Sequence, residues 1–455
     1  MGSRSDFSKG SISKNILSLA LPMTAAQLVN VLYSVVDRIY LGRLPGSSHL
    51  ALTGLGVTIP IVSIIMGFAN LCGTGGGPIF SICRGQGDQE EAERVMGNSF
   101  SLLLILGAIC TAFFLIFKRP ILYLFGASDA TFPYADDYMT IYLMGTLFVM
   151  ISLGMNPFVN AQGFGSVGMM TVVLGAAVNI VLDPIFIFLL NMGVKGAALA
   201  TVTSQTVSGL ACLVYMRKKY AILRTSKEER RLDGRSCRTL CMMGIPMGLQ
   251  YSITAIGSIV LQSAVNTLGS TYVAAVAAGA KLFQLLACPY DAMGAAMATY
   301  CGQNVGAAKL DRLSQGVRSC SLLGLVYAVI ALVGMLLFAP ACAMLFLDPG
   351  EEQLALLVRL TAQYITTLAA FFFPLALVNI LRFSIQGMGY SMFAILAGVL
   401  EMLARTAVGS IFVPLFGYTA ACFASPAAWL CADLFLLPAC IHCIRRLRQL
   451  FPATA

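Results

Sequence analysis

The sequence predicts an all-α membrane protein, with twelve transmembrane helices in two six-helix lobes related by a parallel internal repeat. Three observations carry that expectation. Of 455 residues, 58% are hydrophobic and only 11% charged, with a mean hydropathy of +0.83, outside the range of soluble domains. Charge-free runs such as Asn15 to Val36, Val95 to Phe117, Thr239 to Ala280 and Ser319 to Leu347 are long enough for helices that cross a ~30 Å hydrocarbon core. The chain also repeats itself at an offset of 224 residues.

Taken in order, the spans fall near 15–41, 51–74, 94–117, 133–160, 168–190, 194–216, 239–268, 272–299, 316–338, 352–383, 391–413 and 418–441. The first follows Lys9 and Lys14, as a signal peptide would. It is too long for one and ends on Asp37 without a small-residue cleavage site. At the offset of 224, Pro22 meets Pro246, Gln162-Gly163 meets Gln386-Gly387, Gly193 meets Gly417 and Ala197 meets Ala421. An even number of spans per half returns the chain to its starting side, so the halves share one orientation.

These boundaries divide the chain into a first lobe at 1–216, a basic cytoplasmic linker at 217–238 and a second lobe at 239–455 with a short basic tail. Twenty Lys and Arg residues fall in segments on the side of the N-terminus, nine of them in the linker, against Arg43, Lys118, Arg119 and Lys195 on the other. The positive-inside rule then puts both termini in the cytoplasm. The linker is explained as a solvated connection. The net charge of +9 sits in loops and does not indicate nucleic acid. A multi-pass protein of a cytoplasmic membrane, monomeric and surrounded by lipid, is expected.

Within the fifth span, TVVLGAAVNIVLDPIFIFLL from Thr171 to Leu190 holds one acid, Asp183. At the centre of a span an aspartate costs roughly 2.5 to 3.5 kcal/mol on insertion scales, so a cation, a proton or a partner compensates it. Asn179 lies one turn earlier on the same face, and Pro184 removes a backbone donor from the helix. Asp37 closes the first span in NVLYSVVDRIYLG, with Tyr33 one turn before it. Odd spans run outward, so both acids fall in the outer portion of their helices at ~1.5 Å per residue. Thr201, seven residues into the sixth span, reaches the same level. Two carboxylates in a low-dielectric pocket repel when both are ionised, which makes the pair an acceptor for a proton or a cation such as Na⁺. A packing role for Asp183 and an interfacial one for Asp37 beside Arg38 are the competing readings.

The second lobe differs. Asp37, Asn179 and Asp183 align with Leu261, Leu403 and Ala407. Its own charges include Lys281 and Asp291 in the eighth span, and Glu401 with Arg405 four residues on in the eleventh. The last two are spaced as a structural pair. Lys281 either snorkels or faces a cleft.

An enzyme is not expected. The two histidines, His49 and His442, are too far apart in the chain to suggest a metal pair, and no Walker A loop is present. The glycine run Gly73 to Gly77 lacks a following lysine and reads as a place of close helix approach. No cofactor is expected beyond a coupling ion, H⁺ or Na⁺.

Together, VVDRIYLG at 35–42, NIVLDPIFIF at 179–188, GVKGAALATVTSQ at 193–205 and CGQNVGA at 301–307 resemble the multidrug and toxic compound extrusion (MATE) family. The resemblance spans residues 12 to 445. It implies two lobes that alternate access and export cationic or amphipathic compounds in exchange for H⁺ or Na⁺. It implies that Asp37 and Asp183 bind the coupling cation, with Tyr33, Asn179 and Thr201 completing the site. Asn156, Gln250 and Lys281 are the candidate substrate contacts. Two departures stand out. Gln250 occupies IPMGLQYS where one branch of the family has an acid nearby, and NAQGFG lacks the arginine that often precedes the glycine. The alternative reading is a flippase for lipid-linked oligosaccharide or lipid, for which only Lys281 and Arg405 hint at a basic cleft.

Overall fold

The computed structural model describes residues 6–42, 48–219, 233–347, 350 and 353–451. The middle of the basic linker, 220–232, lies outside them, as do Arg4 and Arg43. The described chain contains α1 (Ile12–Gly42), α2 (Ser48–Gln86), α3 (Gln89–Leu124), α4 (Phe132–Ala161), α5 (Gly165–Pro184), α6 (Val194–Lys219), α7 (Gly234–Asn266), α8 (Ser270–Gly306) and α9 (Asp311–Met344). There follow α10 (Leu354–Ala370), α11 (Phe372–Gly387), α12 (Met392–Ala407), α13 (Val413–Phe416) and α14 (Tyr418–Leu450). Among the described residues, eleven helical segments are long and apolar enough to cross a membrane, and α10 with α11, bent by 52°, makes a twelfth if the pair is one span.

The tenth span, expected as one helix over 352–383, is therefore broken. Pro374 enters the first turn of α11 without an amide to donate, and its ring crowds the carbonyl of Ala370 at the end of α10. The repeat is visible in finer geometry. A π-helical turn, Ile185–Leu189, continues α5, and another, Val408–Phe412, joins α12 to α13. Gly193 and Gly417, aligned at the offset of 224, both take positive φ, 56° and 63°, where a side chain would strain the backbone.

The chain divides into two compact units, and neither coincides with a sequence half. One comprises Ala25–Arg84 and Asp88–Ile245, the other Asp6–Thr24, Gly85–Gly87 and the chain from Pro246. Helices α1 and α7 thus change unit near Pro22 and Pro246, the two prolines that the repeat aligns. The sequence expectation assigned all of α1 to the first lobe and began the second at 239; hydrogen bonds account for the difference.

In the second unit Phe7 is fully buried. Its amide donates to Gln303 Oε1 at 3.2 Å, and its carbonyl accepts from Asn304 Nδ2 at 3.2 Å and Arg312 Nη2 at 3.3 Å. Lys309 Nζ donates to the Ser8 carbonyl at 2.7 Å. Gln303 and Asn304 belong to the CGQNVGA motif, so this motif holds the segment that leads into α1.

In the first unit the Asp233 amide donates to Asn98 Oδ1 at 2.9 Å. The Asp233 carboxylate accepts from the Ser236 amide at 3.0 Å, which holds it below the ordinary carboxylate range. The glycine run of α2 does what close approach requires. A Cβ on Gly73 would lie 2.8 Å from the Gly154 carbonyl oxygen, and one on Gly75 would lie 2.6 Å from the Gly244 Cα in α7. Around it, Phe80 and Phe158 meet edge to face with centroids 5.6 Å apart.

The second unit packs Tyr290, Phe372, Phe283 and Trp429 against one another. It also buries charge. Glu401 bonds to Arg382 through one carboxylate oxygen and to Arg405 at 3.3 Å through the other. All three are buried. The i,i+4 pair expected from the sequence is present, and Arg382 on α11 completes it.

Two stability predictions follow from this packing. Glu401→Gln leaves two buried guanidinium groups short of their shared anion and should destabilise the protein by about 3–5 kcal/mol, read as a lower midpoint of thermal unfolding in detergent. Gly75→Leu forces a side chain onto the α7 backbone and should cost about 1–3 kcal/mol or more, whereas Gly77→Ala, with no atom within 4 Å of the new Cβ, should not lower the midpoint.

Candidate functional site

Four helix ends build the site within the first unit. Asp37 and Tyr33 lie toward the end of α1, and Asn179 and Asp183 toward the end of α5, while Tyr138 lies near the start of α4 and Thr201 near the start of α6. Helices that run in alternate directions bring late residues of α1 and α5 to the level of early residues of α4 and α6. Edge-to-face contact between Tyr40 and Phe188, 6.2 Å between centroids, fixes α1 against the π-helical turn beyond Asp183.

Asp183 is fully buried and Asn179 is 1% exposed. Asn179 Nδ2 donates to Asp183 Oδ1 at 3.5 Å, a long bond. The Asp37 carboxyl lies within hydrogen-bonding reach of Asp183. Buried Asp183 Oδ2 and Asn179 Oδ1 have no hydrogen-bond partner among the described residues. Oxygens that can only accept therefore converge, and a buried acceptor with nothing to accept is costly. A proton on one carboxyl, or a small cation among the oxygens, satisfies the arrangement.

Hydroxyls surround the acids. Tyr33 lies in the field of Asp37 and Asp183, within hydrogen-bonding reach of Gln205. Tyr138 lies in the field of Asp37 and Tyr33, within reach of Thr201, and stacks on Tyr142 with centroids 6.0 Å apart. The structure thus gathers all five residues expected at the coupling site: Asp37, Asp183, Asn179, Thr201 and Tyr33. It adds Tyr138, Tyr142 and Gln205, which the sequence reading missed. The count of helical rise that places Thr201 would also have reached Tyr138, six residues into α4, and Gln205, one turn beyond Thr201.

The three candidate substrate contacts are elsewhere. Asn156 lies about 27 Å along α4 from Tyr138 at the rise of an ideal helix. There its Nδ2 donates to the Gly168 carbonyl at 3.1 Å and to Thr171 Oγ1 at 3.0 Å, and its Oδ1 accepts from Asn160. It ties α4 to α5 and does not join the acids. Gln250, in the second unit, is buried and accepts from Gln386 Nε2 at 3.0 Å. Lys281, on α8 of the same unit, is exposed. Among the described residues, no group of three or more His, Cys, Asp or Glu is arranged to hold a metal ion.

Comparison with known proteins agrees with this architecture. The chain is 30% identical over 278 residues to the multidrug export protein MepA of Staphylococcus haemolyticus, covering 61% of each chain. It is 27% identical over 310 residues to the probable multidrug resistance protein YpnP of Bacillus subtilis, covering 66% of this chain and 67% of that one. The alignment to the first thus spans about three fifths of that relative's length. A crystal structure of a MATE protein in complex with MaL6 superposes with a TM-score of 0.91 at 23% identity, over 99% of this chain and 100% of that one. An outward-facing multidrug resistance MATE family transporter of the MOP superfamily gives 0.91 at 23% identity, over 99% of both chains. The MatE family model matches residues 22–185 and again 246–411, one copy in each half. With nearly three quarters of its length inside those two matches, this twelve-span chain belongs to the MatE family.

Proposed function

We propose that the protein is a secondary-active antiporter that exports organic cationic or amphipathic compounds in exchange for H⁺ or Na⁺, with the coupling ion bound at Asp37 and Asp183. The observation that carries this reading is the meeting of acceptor oxygens from Asp183, Asn179 and Asp37 inside one bundle. The names of two relatives, multidrug export protein for MepA and probable multidrug resistance protein for YpnP, support the substrate class.

In this reading the acids have two states. With a cation or proton bound, the oxygens are satisfied and α1 can sit close to α5. Without it, the two carboxylates repel and Asp183 calls for water or another donor. Tyr33, Tyr138 and Thr201 supply hydroxyl dipoles that can rotate to suit either state. Ion binding then biases how α1 packs, and α1 is the helix that passes from one unit to the other. A ligand shifts such an equilibrium only by its difference in affinity for the two states. Both termini lie in the cytoplasm in this reading, the membrane is the cytoplasmic one, and the monomer suffices.

Three measurements test the site. Asp37→Asn and Asp183→Asn should each reduce gradient-driven efflux from proteoliposomes to the level of empty vesicles while the protein still inserts. Efflux by either variant at the wild-type rate refutes the assignment. Tyr138→Phe removes one hydroxyl and should raise the half-saturating concentration of the coupling ion by roughly 2- to 10-fold, leaving the maximal rate within about twofold. Imposing pH and Na⁺ gradients separately should drive efflux with one of them, and transport that ignores both would eliminate ion exchange as the energy source.

A further inference from the structure

Helix α14 runs 33 residues from Tyr418 to Leu450, about 48 Å at ideal rise, and so outreaches a ~30 Å hydrocarbon core. Its outer stripe can be followed residue by residue. Leu430, Leu434, Leu437 and Ile441 recur every three to four residues and are 43–77% exposed, as a helix face turned to acyl chains requires. The next place on that stripe is Arg445, which is exposed. Apolar surface gives way to charge within one turn, and that turn marks the level of the lipid headgroups.

His442 and Arg446, one turn apart, flank the same end of α14 and are exposed too. Aromatic rings position both. The Arg446 guanidinium lies over the Tyr390 ring, 5.8 Å from its centroid. Phe393, at the start of α12, meets the His442 imidazole edge to face at 6.5 Å and the Tyr390 ring at 6.4 Å, and Phe435 closes the wall at 6.1 Å from Phe393. Beside it on α12, Met392 and Leu396 are 65% and 49% exposed. The sequence holds no Asp or Glu from Tyr390 to Leu400 or from Leu434 to Leu450. Arg448 is committed to Asp311 at 2.9 Å, but among the described residues neither Arg445 nor Arg446 forms an ion pair.

We propose that the start of α12 and the end of α14 form a binding site for the phosphate of an anionic phospholipid, with Arg445, Arg446 and His442 as donors. Guanidinium forks match phosphate oxygens two at a time, and the imidazole adds an N–H. The Tyr390 ring holds Arg446 in place without taking up its donors. A free phosphate would use these donors alone. The apolar stripe that leads into them on α14, with Met392 and Leu396 on α12, gives acyl chains a surface continuous with the headgroup contacts. A zwitterionic headgroup brings an ammonium for which this end has no carboxylate, so the site selects net negative charge. It lies within the second unit, apart from Asp37 and Asp183, and does not depend on the export reading.

Phosphatidylglycerol and phosphatidylcholine are the probes, titrated into the full-length protein in detergent micelles with bound lipid read by native mass spectrometry. The wild type should hold one phosphatidylglycerol about tenfold more tightly than phosphatidylcholine, and Arg445→Gln and Arg446→Gln should each weaken phosphatidylglycerol about fivefold or more while leaving phosphatidylcholine unchanged. Arg446→Lys should fall between, since an ammonium offers no fork. Arg318→Gln, which removes an exposed charge from α9, should stay within about twofold of wild type. Arg445 has no ion pair to lose, so Arg445→Gln keeps the thermal midpoint of the wild type and carries the test should Arg446→Gln fold poorly. Equal affinity of the wild type for the two lipids overturns the proposal, as does unchanged phosphatidylglycerol binding in the Arg445 and Arg446 variants. Equal weakening by Arg318→Gln, the mark of a general positive field, also overturns it, and so does displacement of the bound lipid by an equal concentration of glycerol 3-phosphate.

Discussion

Everything in the first unit follows from a shortage of hydrogen-bond donors. Asp183, Asn179 and Asp37 bring oxygens together where water is scarce, and the one bond between the two α5 side chains is long. In water such oxygens would be solvated at no cost. In a membrane bundle each unsatisfied acceptor is a penalty that something must remove. The surrounding hydroxyls relieve it only in part, because each tyrosine or threonine has a single proton to give. A proton or a small cation among these oxygens would remove the rest of the penalty, which is the ground of the coupling role proposed for them.

The path from that site to the rest of the molecule runs along the chain itself. Residues 25 onward of α1 carry Tyr33 and Asp37 in the first unit, while residues up to Thr24 pack in the second. There the leading segment is held by backbone groups of Phe7 and Ser8 bonded to Gln303, Asn304, Lys309 and Arg312. One end of the helix is thus fixed by amide, guanidinium and ammonium groups, and the other carries Tyr33 and Asp37. Pro22 lies between them, where the missing amide removes one bond from the helical ladder. The same construction recurs in α7 with Pro246, whose early turns are held by Asn98 and by the glycine run of α2.

Much of this was legible in the sequence because the constraints are strong ones. Span number follows from apolar length, and the repeat from residues such as Pro22/Pro246 and Gly193/Gly417 that backbone geometry demands. Asp37 and Asp183 stand out because charge is rare in spans. Tyr138 and Gln205 do not stand out, since Tyr and Gln are tolerated in helices for many reasons and only a neighbour reveals their role. The division into units was hidden for a related reason. Hydrophobic periodicity says that α1 and α7 are helices, but a capped backbone at Phe7, held by Gln303 and Asn304 some 300 residues away in the chain, leaves no local trace. Arg382 escaped as the third member of the Glu401 cluster because its partner is 19 residues distant and on another helix, beyond the reach of any i,i+4 rule.

The two halves descend to different electrostatic solutions from one repeated scaffold. Where the first half has Asn179 and Asp183, the second has Leu403 and Ala407, so the aligned level of α12 offers no acceptors. Its charges lie instead at Glu401 and Arg405, which the structure locks together with Arg382. A locked pair carries its own compensation, whereas Asp183 in the first unit receives one long bond from Asn179.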